Sequence, residues 1–488
     1  MSIWMNSTLF VSFLFFCISF CFRISAQNNQ SDSSDLGKLY VTTWADNKQS
    51  AFSFSFDDGF ISQYDNVRNI LNHNNFTATY FILPPFLTDT LPGIWRYGTW
   101  PMFLEMHNED FELASHSLNH PDLTQLAVGD TLTPGTIHYE LYHSKKMINE
   151  KTQNNDCISF AYPFAIHNDL IDSLTSLYYE CSREVGGVPN PTSIEGMDWF
   201  KLKSYHVEFD LPRDSLVNDL DELYDLINWI DNSITNGTWG IQLAHEVVPF
   251  DQINDLLNEG AYHPIANEWL ILLTDWLKGK SDAGEIWIET IGNVTKYIKE
   301  RDNHSYQIIS QSDLKIEIEL MDSLYDDIYN YPLSALISVP EKWNFVLIEQ
   351  GNKTEVLESF NADSMQLVLA NVIPDGGIIV LTNFDPNYVA EQENIPEGFI
   401  LYQNYPNPFN PSTTIKFQIS NFEFVILKIY DVLGNEVATL VNEELPPGTY
   451  EIEFNVAQIS NLGLPSGTYF YILRSGGNYL SKKMILLK

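Results

Sequence analysis

Four short segments of this 488-residue chain carry side chains that could do chemistry together. Ser55-Phe56-Asp57-Asp58-Gly59 sets two adjacent carboxylates before a glycine, where a strand turns toward a helix. Alone, Asp-Asp-Gly is a turn signal. His116-Ser117-Leu118-Asn119-His120-Pro121 places imidazoles at i and i+4, a spacing that lets both converge on one ion. Phe160-Ala161-Tyr162-Pro163-Phe164 and Leu243-Ala244-His245 complete the set, although singly they read as a loop proline and a structural histidine. Each segment lies at the end of a strand-like run. In a barrel of alternating strands and helices those ends open on one face, from which catalytic groups are drawn. Four unrelated structural features would not be expected to choose the same edge and also supply the parts of a metal-dependent hydrolase.

The elements that must position these groups are legible as periodicity. Ala51–Phe56 alternates at period two and reads as a first strand, and Tyr64, Val67 and Leu71 then recur at helical spacing over Ile61–His73. Further strands are expected at Thr77–Leu83, Phe111–Ser115, Cys157–Tyr162, Tyr178–Val185, Leu202–Val207, Gly240–Ala244 and Ile286–Thr290. Helices fit at Ile137–Thr152, Asp214–Ser233 and Thr295–Arg301. Strands alternating with helices imply an α/β barrel or a doubly wound sheet. Beyond Arg301 only short strands follow, the pattern of a small β-sandwich over 302–384. A polar linker is expected over 385–396, before a last β-rich block, 397–488.

With those residues in hand, Leu39–Arg301 resembles the polysaccharide deacetylases, the NodB-like carbohydrate esterases. Ser55–Gly59 stands for the family's Thr-Phe-Asp-Asp-Gly, His116–Pro121 for its His-Ser/Thr-x-x-His-Pro, and Leu243–His245 for its Leu-x-His. The resemblance implies a distorted (β/α) barrel in which Asp58, His116 and His120 hold a divalent metal, most simply zinc. Asp57 would be the catalytic base and His245 the catalytic acid. Pro163 and Phe164 would meet the substrate, with the Phe164 backbone N–H as an oxyanion donor. A protonated acid beside a deprotonated base implies a bell-shaped pH profile. Where the family often carries an arginine, this chain has Ala161, and Arg183 from the next strand is expected to supply the charge instead. Met197-Asp198-Trp199 is similar to a further family motif, so Trp199 is expected either to wall the acetyl pocket or to sit in the core. Trp95, Tyr97 and Trp100 are open to the same two readings, sugar platform or packing.

The last block resembles the C-terminal sorting domain of type IX secretion substrates. The resemblance rests on Tyr405-Pro406-Asn407-Pro408-Phe409-Asn410-Pro411, Ile429-Tyr430-Asp431-Val432-Leu433-Gly434 and Lys482-Lys483-Met484, in that order. It implies export through the periplasm to the surface or medium of a diderm bacterium, with the outer-membrane secretion machinery as partner. The apolar run Leu9–Phe22 before Ala26 reads as a secretory signal over 1–26, followed by a linker, 27–38. No integral membrane segment is expected after its removal. Cys157 and Cys181 are expected to form one structural bridge in that compartment, two buried free thiols being the alternative.

Composition narrows the partners. With 44 % hydrophobic and 14 % aromatic residues the chain can bury sizeable cores, which excludes global disorder. Lys plus Arg number 26 against 64 Asp plus Glu, a formal charge of −38 that repels polyphosphate and excludes nucleic acid as a partner. An acetylated polysaccharide, neutral or cationic once deacetylated, suits that field better than an anionic one. The expected reaction is removal of acetyl groups from N-acetylated sugars. Its rivals are an O-acetyl esterase acting on xylan-like polymers and a glycan-binding surface protein without catalysis.

Overall fold

Period-two alternation in Ser50–Asp58 builds one wall of a barrel and fixes which side chains look inward. The computed structural model describes residues 36–91, 96–207, 220–362, 364–384, 399–419, 423–445, 448–456, 464–475 and 478–487. The expected signal segment, the 385–396 linker and Trp95 lie outside them. The first eleven strands are β1 (Leu39–Val41), β2 (Ser50–Asp58), β3 (Ala78–Ile82), β4 (Glu112–Ser115), β5 (Ser159–Ala161), β6 (Cys181–Val185), β7 (Leu202–His206), β8 (Trp239–Ala244), β9 (Val247–Val248), β10 (Ile265–Ala266) and β11 (Ile286–Ile288). Strands β2 to β8 pair in chain order, all parallel, and β8 returns to β2, closing a seven-stranded barrel. Strand β11 adds to β2 at Ser50–Phe52, short of the stretch Phe54–Asp58 that pairs with β3. All eight strands expected from the sequence are present, and this extra pairing makes the barrel distorted.

Helices wrap the outside, among them Ile137–Thr152, Leu220–Asn236, Asn267–Asp282 and Ile291–Asn303. On β2, Phe52, Phe54 and Phe56 belong to the core shared with the helix residues Leu141, Ile230 and Leu273. Each fully buried phenylalanine contributes roughly 1.5–3 kcal/mol. The alternate residue Ala51 joins Phe81, Ala114, Ala161, Cys181, Leu202 and Ile241 in a second core, within the lumen. So narrow a barrel suits small lumen residues. Ser53 accepts a hydrogen bond from Trp239 Nε1 at 3.0 Å, and Ser55 donates to the Gln242 carbonyl at 2.6 Å, so both buried hydroxyls are satisfied.

That division into two cores explains why the expected Cys157–Cys181 bridge does not form. Cys157 packs in the outer core and Cys181 in the lumen, and both thiols are free and buried. Burial pushes the Cys181 thiol up to about 11.

The segment Leu39–Val41, inside the stretch 39–301 expected to form the barrel, is an edge strand of the following sandwich, where it pairs antiparallel with Leu333–Val339. Leu333–Val339 also pairs with Met365–Val372. The facing sheet runs Ser305–Gln311, Lys315–Met321, Ile379–Asn383, Phe345–Gln350 and Lys353–Glu358. The two sheets enclose a core of Leu39, Ile316, Ile318, Ile337, Trp343, Val368 and Leu381. The last block is a second two-sheet β-structure around Phe409, Ile415, Phe417, Leu427, Tyr471 and Met484.

Candidate active site

Strand parity carries five ionisable groups toward the mouth of the lumen. On β2, Ala51, Ser53 and Ser55 alternate inward, and Asp57 is next in that series; His116, Arg183, His206 and His245 hold the matching positions after Ala114, Cys181, Ser204 and Leu243. Asp58 is out of phase by one residue. Its φ of +76°, followed by +83° at Gly59, turns the chain so that its carboxylate joins the group. Left-handed backbone recurs at Ser117, His120, Phe164 and Ala165, so unfavourable conformations cluster around this mouth.

Asp58 Oδ1 lies 3.8 Å from Nε2 of both His116 and His120, and those two nitrogens are 3.1 Å apart. Among the described residues this is the one trio of His, Cys, Asp or Glu whose donor atoms all lie within 4.8 Å of one another. His116 Nδ1–H donates to the Ala161 carbonyl at 2.9 Å, which leaves Nε2 as the lone-pair side of the neutral ring. Burial lowers His116 to about 4, and burial with the neighbouring His116 lowers His120 to about 3. Burial, Asp57 and Glu246 push the Asp58 carboxyl up to about 8. Two neutral imidazoles and a carboxylate aimed at one point fit a divalent cation of the zinc type, with positions left open for water and substrate. The loop bearing the histidines is anchored from below: buried Glu140 accepts from the backbone and side-chain N–H groups of Asn119, both at 2.8 Å, and Ser117 Oγ accepts from His120 N at 2.9 Å.

Asp57 is buried, and both carboxylate oxygens lie 2.6 Å from Arg183 Nη2. Burial works to raise its pKa, but Arg183, helped by His116 and His245, outweighs burial and holds the carboxyl below its ordinary value. Arg183 is the register partner of Ala161 across the β5–β6 pair. The cation that the sequence lacks at Ala161 therefore stands directly across on the next strand.

Gln63, in a π-helical turn over Gln63–Val67, donates from Nε2 to the Asp57 carbonyl at 2.6 Å and the His245 carbonyl at 3.0 Å, tying the ends of β2 and β8. Burial lowers His245 to about 4, so its imidazole is neutral at rest. Buried Glu246 pairs with Arg96 at 3.2 Å, and burial pushes its carboxyl up to about 7. His206, at the end of β7, lies 5.9 Å from His245 between ring centroids. Gln63, Arg96, His206 and Glu246 are not in the expected set. His206 alone had a readable signal, since it stands at the C-terminal end of the expected strand Leu202–Val207, one residue before its last, as His245 follows Gly240–Ala244.

Other expected residues divide. Pro163 is buried, while the exposed Phe164 ring meets His120 edge-on at 4.4 Å. Of its two readings, Trp199 takes the core one: it precedes β7 and so sits at the opposite end of the barrel, against the lumen core and 4.9 Å below Lys299 Nζ. Strand direction is the reason, since only residues that follow a strand reach the open face. Trp100 is core. Tyr97 stacks on Phe60 at 5.2 Å, and its hydroxyl is pushed up to about 12 by burial and by Asp58.

Parts of this chain are similar to known proteins. A gellan lyase from Bacillus sp. is 23 % identical over 354 residues, covering 70 % of this chain; the chain spans only 13 % of that relative's length. A polysaccharide deacetylase structure from Bacillus cereus is 21 % identical, with 31 % of this chain and 45 % of that chain covered and a TM-score of 0.26. The Xyl-CE4 domain of a multidomain xylanase from the hindgut metagenome of Trinervitermes trinervoides is 17 % identical, with 49 % and 97 % covered and a TM-score of 0.28. No helix among the described residues is long and apolar enough to cross a membrane. Residues 403–487 match the secretion system C-terminal sorting domain, which marks a secreted or cell-surface protein. Residues 45–181, within the barrel, match the polysaccharide deacetylase family model.

Proposed function

We propose that this protein is an exported, divalent-metal-dependent hydrolase that removes acetyl groups from the N-acetylated sugars of a glycan. The observation that carries the reading is the meeting of Asp58, His116 and His120 donor atoms within 4.8 Å, with Asp57 and His245 beside them. Those three residues would hold the cation, most simply zinc, which when bound supplies Lewis acidity toward the acetyl oxygen and a lowered pKa for water.

Asp57 would take the proton from the attacking water, its carboxylate oriented and kept ionised by Arg183. The Phe164 backbone N–H would donate to the oxygen that gains charge. Pro163 shapes the approach beneath it. His245, neutral at rest, would take up the proton that Asp57 removes from the water and deliver it to the departing amine as the C–N bond breaks and acetate leaves.

An O-acetyl esterase is the second reading, favoured by the neutrality of His245, because an alcohol leaves with less protonation than an amine does. Acetate release from N-acetylglucosamine oligomers and from acetylated xylan, each before and after chelation and metal return, separates the two. Release from neither substrate would leave a glycan-binding protein.

A further inference from the structure

Tyr262 is a large, 56 % exposed aromatic ring beside the candidate acid, and no motif pointed to it. Single exposed aromatics are ordinary. This one is held on three sides by imidazoles. It stacks on His206 at 5.3 Å with 2° between planes, and meets His245 edge-on at 5.4 Å and His263 at 4.7 Å. Its loop is pinned at both ends. Gly260 N and Ala261 N close the preceding helix onto the Leu257 and Leu256 carbonyls at 3.0 and 3.1 Å. Ile265 N then donates to the Glu246 carbonyl at 2.8 Å, and Ile265–Ala266 pairs with Val247–Val248 just beyond His245. An exposed ring that is already immobile loses little freedom when a ligand covers it, which makes it an effective binding surface.

Position says what would cover it. If His245 serves the leaving group, as proposed above, the group it serves is the sugar itself, and Tyr262 is the exposed surface in contact with that histidine. Pyranose rings present flat C–H faces that pack on aromatic rings. The other exposed ring, Phe164, lies against the metal-side residue His120, where the acetyl group would sit. We propose that Tyr262 is the stacking platform for the sugar ring bearing the scissile acetyl group, selecting pyranoses with an unobstructed C–H face. This inference rests on the deacetylase reading.

The test is binding without turnover. Full-length protein stripped of metal by a chelator is titrated calorimetrically with N-acetylglucosamine hexamer and with acetylated xylohexaose. Tyr262→Ala is expected to weaken the better probe roughly tenfold, while Tyr262→Phe stays near wild type. Tyr262→Leu keeps apolar bulk on His206 without the flat ring, and reports the same loss should the alanine variant not fold. Equal affinity of the wild type and either ring-less variant overturns the proposal, as does wild-type protein that binds neither probe. Acetate release by the metal-loaded wild type is scored separately. Release with Tyr262-independent binding removes the platform alone, whereas Tyr262-dependent binding without release removes the enzymatic reading, and with it the scissile acetyl group, and leaves only a sugar-binding ring.

Discussion

Replacing Arg183 with Met removes the cation that faces Asp57 and leaves a buried carboxylate without its partner. Both residues are 3 % exposed, and Arg183 Nη2 contacts both Asp57 oxygens at 2.6 Å. Breaking one side of a buried pair of this kind costs about 3–5 kcal/mol of stability. The sign of the pH dependence changes with it. In the wild type the lowered folded pKa of Asp57 contributes stability above the ordinary carboxylate range, lost as pH falls through the folded value. In the variant burial is opposed only by His116 and His245 and is expected to lift the folded pKa, so stability declines as pH rises past the unfolded value. Catalysis suffers twice, from misorientation and from protonation of the base, and kcat/KM is expected to fall roughly 10²- to 10³-fold, about 3–4 kcal/mol. Acetate release and thermal unfolding monitored by circular dichroism measure the two effects separately. Because Ala161 and Arg183 are register partners, Ala161→Arg combined with Arg183→Ala moves the guanidinium one strand over and should recover part of the lost turnover. A folded Arg183→Met protein with wild-type kcat/KM would refute the assignment.

Chelation should abolish acetate release and lower the unfolding temperature, and zinc should restore both; His116→Ala and Asp58→Asn should purify without stoichiometric metal by elemental analysis. A bound ion at a thousand times its Kd stabilises by about 4 kcal/mol, a loss easily seen in the melt. Glu300 is fully buried, accepts a hydrogen bond from Tyr331 N at 2.9 Å, and has its carboxyl pushed up to about 8 by burial. A carboxyl raised in the fold contributes stability below its unfolded pKa and loses it as pH climbs through the folded one. Glu300→Gln, which keeps the acceptor, should therefore melt higher than wild type by a margin that widens from pH 6 to pH 9; a constant margin would count against this. Cys157 and Cys181 should each react with an alkylating reagent only after denaturation, without prior reduction. A mass consistent with a bridge would contradict the two separate cores.

Legibility followed the physics of each feature. The wall Ser50–Asp58 could be read because alternation of Phe with Ser and Ala states both period and inward face, and strand direction then placed Asp57, Asp58, His116, His120 and His245 at one mouth. Arg183 could be anticipated from the missing charge at Ala161. What failed was information that spacing does not hold. Asp198-Trp199 has the right letters but precedes its strand, so it lands at the closed end. Cys181 opens one strand and Cys157 just precedes its neighbour, yet one packs in the lumen and the other among the helices, a distinction that the irregular approach to Ser159–Ala161 hides. Gln63, Arg96 and Glu246 reach the site from loops and a π-helical turn, where no period marks an inward face. Leu39–Val41 is three residues long, too short to announce its partner.

That short strand has a consequence for how the molecule comes into being. Lys38 N is bonded to Ser338 Oγ across 300 residues of chain. As the polypeptide emerges, Leu39–Val41 must wait, unpaired, until the entire barrel and the first strands of the sandwich have been made. The barrel is thus an insertion between strands of the sandwich. Excising the barrel at residue 301 would strand that edge with its hydrogen-bonding groups bare, inviting self-association, so a minimal enzyme should keep residues 36–384 together.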